Sequence, residues 1–245
     1  MMAGVDKGAA LIIGAGDALG GAVAHRFARA GFTAVPSRRK VDQLQQLVDD
    51  IRAAGFAAEG LPCDARGEDQ VIALFDRIES DIGPVEVAVF NAGAQHNAPI
   101  AEMTARIYRQ VWESAAFGGF LMGREAARRM APRGRGTIIF TGATASMRAG
   151  PGFAAFAGAK YALRALSQSM AKELGPKGIH VAHVIIDGMI ESDAVKQRFP
   201  ERTVAKGEDG MLDPAAIAES YYQLHAQPRS AWSWEIDLRP WSEQW

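Results

Sequence analysis

Apolar positions alternate along the whole chain between short continuous runs and longer stretches at helical spacing. Residues 10–13 are continuously apolar and predict a strand; 20–30 follow with Ala22, Val23, Phe27 and Ala30 on one helical face, ended by Gly31. Residues 33–36 predict a second strand, and 41–54 a second helix carrying Leu44, Leu47, Val48 and Ile51 on one face. A third strand over 57–62 and a third helix over 68–82 come next. Residues 85–90 are nearly all apolar, as a strand covered on both faces must be. The stretch 104–130 reads as one long helix or a broken pair, 136–140 as a buried strand, 153–174 as a long Ala-rich helix and 179–186 as a sixth strand. Gly83-Pro84 and Gly175-Pro176 punctuate the junctions. Such alternation predicts a single α/β domain over 1–245, a doubly wound parallel sheet with helices on both faces and ligands at the C-terminal ends of its strands.

The last third is less regular. Residues 193–227 carry no motif, and the stretches 198–202 and 207–210 predict an exposed, mobile segment. Trp232, Trp234 and Ile236 alternate, which predicts a final strand with one face buried. With Trp241 and Trp245 they form an aromatic tail, suited either to a subunit contact or to packing within the chain.

Composition narrows the setting. Apolar residues make up 48% and charged residues 22%, ordinary for a globular domain. A net charge of −1 gives no reason to expect nucleic acid or an acidic membrane as partner. Cys63 is the single cysteine, which excludes an intrachain disulfide and fits a reducing compartment. A short polar N-terminus runs into residues 9–13, an apolar run too short for a signal sequence or a membrane span. The expectation is a cytoplasmic protein.

Candidate chemistry begins where the first strand ends. Gly14, Gly16 and Gly20 lie between that strand and the first helix, with Asp17 and Leu19 among them. Glycines there let the backbone turn tightly and let N–H groups approach a pyrophosphate at the positive helix N-terminus, the pattern of a Rossmann-type dinucleotide site. The second strand ends in Ser37-Arg38-Arg39-Lys40. Basic residues at that place accommodate the 2′-phosphate of NADP(H), where an acidic residue would bind the NAD(H) ribose, so NADP(H) is favoured. Asp17, close to the same ribose, argues the other way.

These residues, with others in the same order, make the chain resemble the short-chain dehydrogenase/reductase family over roughly residues 8–195. Its Gly-x-x-x-Gly-x-Gly loop is matched at Gly14 and Gly20, with Ala18 at the middle glycine. Asp64-Ala65 resembles the family's aspartate that bonds the adenine, and Asn91-Ala92-Gly93 its Asn-Ala-Gly motif. Lys160 stands where the family keeps its active-site lysine, which also binds the nicotinamide ribose. Asp187-Gly188 replaces the usual Pro-Gly, and Ser192 matches a residue that contacts the carboxamide. The resemblance implies a small-molecule substrate, covered by residues 193–227, and a homodimer or homotetramer.

The catalytic positions depart from the pattern. The family's Tyr-x-x-x-Lys reads Phe156-Ala-Gly-Ala-Lys160; its serine falls on Ala143 and its asparagine on Ala115. Phe156 has no hydroxyl to exchange a proton. Tyr161 lies about 140° around the helix from Phe156 and reads as a packing residue. Thr144, His96 and Asp187 remain as proton-handling candidates beside Lys160. Their alternatives are a strand-end threonine, a surface histidine and a helix-capping aspartate. Three functions stay open: an NADP(H)-dependent oxidoreductase of small carbonyl or alcohol compounds with an atypical proton donor, a catalytically silent dinucleotide-binding or sensing protein, and a non-redox isomerase or dehydratase.

Overall fold

The computed structural model describes residues 7–244, so the N-terminal segment and Trp245 considered above lie outside the described residues. Six strands form one parallel sheet: β1 (Ala9–Ile13), β2 (Thr33–Ser37), β3 (Val85–Phe90), β4 (Gly136–Thr141), β5 (Ile179–Ile186) and β6 (Glu235–Leu238). Their spatial order is β2-β1-β3-β4-β5-β6. Nine helices accompany them among the described residues: α1 (Leu19–Arg29), α2 (Val41–Ala53), α3 (Glu68–Asp81), α4 (Ala105–Trp112), α5 (Gly118–Arg133), α6 (Ala154–Leu174), α7 (Asp193–Arg198), α8 (Pro200–Lys206) and α9 (Pro214–Ala226).

Strand alternation sorts the core into two layers. Leu11 and Ile13 of β1 pack with Phe75 of α3, Leu121 of α5 and Leu163 of α6. Ala10 and Ile12 face the other way, onto Phe27 of α1, Ile51 of α2 and Tyr221 of α9. Both faces of the sheet are therefore covered, which is why its strands read as unbroken apolar runs.

Three expectations are corrected. The strand over 57–62 does not form; a single bridge joins Ala58 to Ala34. The segment does run beside β2, with Glu59 N–H donating to Ala34 O and Leu61 N–H to Pro36 O. Pro36 has no N–H to return, so alternate rungs of the ladder are missing. The segment 193–227 is mostly helical, and α9 buries Ile217, Ala218, Tyr221 and Leu224. Asp213 caps α9 through Ala215 and Ala216, and Pro214 occupies its first turn. Only α7 and α8 within that segment bury no residue. The last strand starts at Glu235 and excludes both tryptophans before it. Trp232 stacks on His180 with ring centroids 4.9 Å apart, and Arg164 lies over Trp234 at 5.8 Å, so both pack within the chain. Trp241 is 82% exposed.

The stretch 104–130 is one continuous helical path. Thr104 caps α4, and a π-helical turn over Glu113–Phe117 joins it to α5. Such bulges are frequent at functional sites, and this one holds Ala115 against Ala155 and Ala159 of α6.

Candidate active site

A cleft of about 340 Å³ opens at the C-terminal ends of β1, β2 and β3. Gly14, Gly16, Arg38, Asp64, Asn91 and Gly93 are among the residues that wall it. Gly14 adopts φ +92°, and a Cβ there would lie 2.5 Å from Ala92 N. The β1 turn and the Asn91-Ala92 turn can meet only because that side chain is missing. Asn91 fastens the contact: its N–H donates to Ile13 O at 2.8 Å and its Nδ2 to Gly14 O at 3.0 Å. A Cβ on Gly16 would meet nothing within 4 Å, so this residue opens onto free space. Leu19 is a core residue that starts α1. No side chain caps that helix and its first turn has no acid; the Gly21 and Ala22 N–H groups are taken by Gly16 O and Ala18 O, which leaves those of Leu19 and Gly20 for an anionic ligand.

Cations line the end of the cleft that follows β2. Arg38, Arg39, Lys40 and Arg66 all border the cleft. Arg38 is held from two sides, with Nη1 donating to Asp17 Oδ1 at 2.9 Å and Nη2 to Gln43 Oε1. Asp17 thus neutralises part of the charge next to it, while Arg39 and Lys40 keep the rim basic. Ser37 is fully buried and its Oγ has no hydrogen-bond partner. Asp64 is engaged by Arg66, whose Nε donates to Oδ1 at 2.9 Å. That hydrogen bond to Arg66 holds the Asp64 carboxyl below its ordinary range. Ala65 is buried beneath the cleft floor. Ser37 is not part of the cleft wall, whereas the open Gly16 and the basic rim together fit a dinucleotide.

The other end of the site holds the candidates for proton chemistry. Lys160 is 5% exposed, and its Nζ donates to Thr141 O at 2.7 Å. Desolvation lowers its pKa to about 8. Nζ lies 5.8 Å from the Phe156 ring centroid. A Cβ on Gly93 would sit 3.8 Å from that Nζ and 4.0 Å from Ala115 Cβ, so Gly93, Ala115 and Lys160 converge. The three positions expected to carry hydroxyl or amide groups hold Ala115, Ala143 and Phe156.

Thr144 and Asp187 are brought together and Lys160 and His96 are not part of their cluster. Thr144 Oγ1 donates to Asp187 Oδ1 at 2.7 Å, and Arg148 Nη2 donates to both carboxylate oxygens at 3.0 Å. Arg239 Nη2 adds an ion pair at 3.5 Å. Asp187 is 1% exposed, so the helix-capping alternative does not hold; it is the centre of a buried ionic cluster. Ser192 is the residue that caps α7, accepting from Val195 N–H at 3.2 Å. Gly188 adopts φ +157°, and a Cβ there would come 2.8 Å from Pro240 Cδ. His96 is an exposed loop residue. Tyr161 is 42% exposed and donates to Met147 O, so it anchors the loop after β4 at the surface instead of packing in the core.

Sequence reasoning missed Arg66, Arg148 and Arg239. Arg66 had a local signal, because it follows Asp64 by two residues. The other two had none, since they are 39 and 52 residues from Asp187 in the chain.

Known proteins share this architecture. A family model described as short chain dehydrogenase matches residues 8–203. The gluconate 5-dehydrogenase of Gluconobacter oxydans is 31% identical over 172 residues, 70% of this chain and 67% of that protein. The 7alpha-hydroxysteroid dehydrogenase of Escherichia coli is 32% identical over 192 residues, 78% of this chain and 74% of its own length. A solved short-chain dehydrogenase from Rhodopseudomonas palustris superposes with a TM-score of 0.83 at 46% identity, over 96% of this chain and 99% of that one. With the family model spanning residues 8–203 and a relative more than 30% identical over most of both chains, the chain belongs to the short-chain dehydrogenase family.

Proposed function

We propose that the protein is an NADP(H)-dependent oxidoreductase that interconverts a small carbonyl compound and its alcohol. The observation that carries this reading is the cleft, where a glycine cradle built for a pyrophosphate opens onto a rim of Arg38, Arg39, Lys40 and Arg66. The bound nicotinamide would supply or accept the hydride. Gly14, Gly16, Asp17, Leu19 and Gly20 would hold its pyrophosphate side, and Arg38 and Arg39 its 2′-phosphate. Asp64, Ala65, Asn91, Ala92 and Gly93 would border the adenine and ribose, with Gly188 and Ser192 near the carboxamide. Lys160 has N–H groups beyond the one used by Thr141 O with which to bind ribose hydroxyls. The relatives' names, a gluconate and a hydroxysteroid dehydrogenase, fit alcohol–carbonyl interconversion.

Proton transfer falls to a group other than a phenol. The Thr144 hydroxyl has its proton committed to Asp187, which leaves its oxygen lone pairs to accept from a substrate hydroxyl. Asp187 would then take the proton through Thr144. His96 is the weaker donor, because no described side chain orients it. A second reading, a dinucleotide-binding protein without turnover, is favoured by Ala115 and Phe156 standing beside Lys160 and by Ala143 at the position expected to carry a serine. A homodimer or homotetramer in the cytoplasm completes the proposal. The exposed Trp241 is one apolar contact such an assembly would cover.

Titration of cofactor fluorescence tests it directly. NADPH should bind more tightly than NADH, and a panel of ketones, aldehydes and enones should show turnover. Arg38→Asp should weaken NADPH by about 10- to 100-fold, the worth of a charge-assisted hydrogen bond, with a smaller effect on NADH. Equal binding of both cofactors by the unaltered protein would sink the NADP(H) assignment. Tight binding with no turnover across the panel would favour the silent reading.

A further inference from the structure

Lys160 is placed for chemistry of its own. Its amine is buried in the sheet-facing side of α6, and its one hydrogen-bond acceptor in the structure is the neutral carbonyl of Thr141. No carboxylate pairs with it. Around it are the Phe156 ring on its own helix, Ala115 on the π turn and, close enough to feel its charge, the buried His183 of β5. The cleft wall beside it is Gly93, an exposed residue without a side chain, at which a Cβ would be only 3.8 Å from Nζ. A small molecule entering the cleft past Gly93 therefore meets an amine with no counter-ion. Burial also lowers that amine to about 8, far enough for a substantial neutral fraction at physiological pH.

We propose that Lys160 is a carbonyl-capturing amine that forms an imine with small aldehydes and ketones entering through the cofactor cleft. The Nζ lone pair attacks the carbonyl carbon, the carbonyl oxygen takes up a proton to give a carbinolamine, and loss of water leaves the C=N bond. No electrons are exchanged with a redox partner. In a site stripped of the tyrosine and serine hydroxyls, an iminium is the electron sink that would let the fold loosen a substrate α-hydrogen without hydride transfer. Amines desolvated in apolar pockets are activated for this chemistry.

The inference goes beyond the oxidoreductase reading and is tested without nicotinamide. The intact protein at pH 7.5 is mixed with glyoxylate or propanal and cyanoborohydride, and the alkylated lysines are located by peptide mass mapping. Lys160 should be labelled at least about tenfold faster than the exposed Lys172, Lys177 and Lys196, the last of which Glu191 holds protonated. Adding NADP+ should suppress the labelling of Lys160 alone. Lys160→Arg and Lys160→Met should each abolish the fast phase, and circular dichroism establishes that at least one of them is folded. Labelling of Lys160 no faster than that of the exposed lysines overturns the proposal. Cofactor binding, measured separately by fluorescence, is unaffected by that outcome, so the two readings fail independently.

Discussion

Acid should weaken this protein largely through one histidine. His183 on β5 is fully buried, and its Nδ1 lies 2.9 Å from Glu235 Oε2. Glu235 is also gripped by Arg164, with Nε at 2.6 Å. A carboxylate only accepts, so Nδ1 carries the hydrogen and Nε2 is bare. That Nε2 is buried without a partner and abuts Gly142. Protonating it would place a charge in the sheet with nothing to solvate it. Desolvation accordingly lowers His183 from 6.5 to about 4, against the opposing pull of Glu235. Between those two values the unfolded chain binds a proton that the folded chain does not, so stability rises with pH across the window and falls on acidification. A shift of that size corresponds to roughly 3 kcal/mol once the pH is below 4, and to about 2 kcal/mol by pH 5. Urea unfolding at pH 7, 6 and 5 measures it. His180 and His225 are likewise lowered by burial and act in the same direction, so the informative quantity is a difference. His183→Asn keeps a donor toward Glu235 but cannot titrate. Its loss of stability from pH 7 to 5 should be smaller than that of the unaltered protein by about 2 kcal/mol. Equal losses in the two proteins would refute the burial argument.

Two further tests concern the sheet and the missing hydroxyls. Thr141 Oγ1 and the fully buried Tyr221 OH lie 2.8 Å apart with no solvent between β4 and α9. Tyr221→Phe or Thr141→Val alone should cost about 1–3 kcal/mol in denaturant unfolding, and the double variant less than the sum, because neither partner is then left unpaired. Strict additivity would mean the two hydroxyls do not depend on each other. Phe156→Tyr with Ala143→Ser should raise turnover on the carbonyl panel above that of the unaltered protein, since the Phe156 ring lies 5.8 Å from Lys160 Nζ. If the double variant binds NADPH and turns over no faster than the unaltered protein, the shape of the substrate site and not the lack of those hydroxyls is what limits the reaction.

Most of the fold was legible because both faces of the sheet are covered. That burial writes continuous apolar runs for β1, β3, β4 and β5, and one-sided faces for α1, α2 and α3. The failures have physical causes. The segment after α2 has strand composition, but its neighbour Pro36 cannot donate, so pairing stops at Ala58. Helix α9 announced itself in Asp213-Pro214, a capping residue before a proline suited to the first turn, yet its position inside an irregular stretch concealed it. The walls of the cleft were legible, since Gly14, Asn91 and the basic turn each follow directly on the end of a predicted strand. The Asp187 cluster was not, because its carboxylate is satisfied by side chains from the ends of β4 and β6.

The burial of Lys160 with only a neutral carbonyl as acceptor is the strongest sign that the apolar end of the site has work to do. A charged amine buried beside Phe156 and Ala115 lacks a carboxylate to offset its desolvation. Lowering it from 10.5 to about 8 corresponds to roughly 3 kcal/mol against the folded state at neutral pH. Methionine or leucine would fill that volume on α6 without the penalty. The Phe156 ring and Ala115 beside it offer the amine no polar partner, so structural accommodation does not explain it. Local rules broken at a cost are expected where function requires them. Binding the ribose of a dinucleotide, as proposed above, would be one such requirement, and capturing a carbonyl compound the other. Protection of Lys160 by NADP+ in the trapping experiment is the measurement that shows whether the same amine serves both.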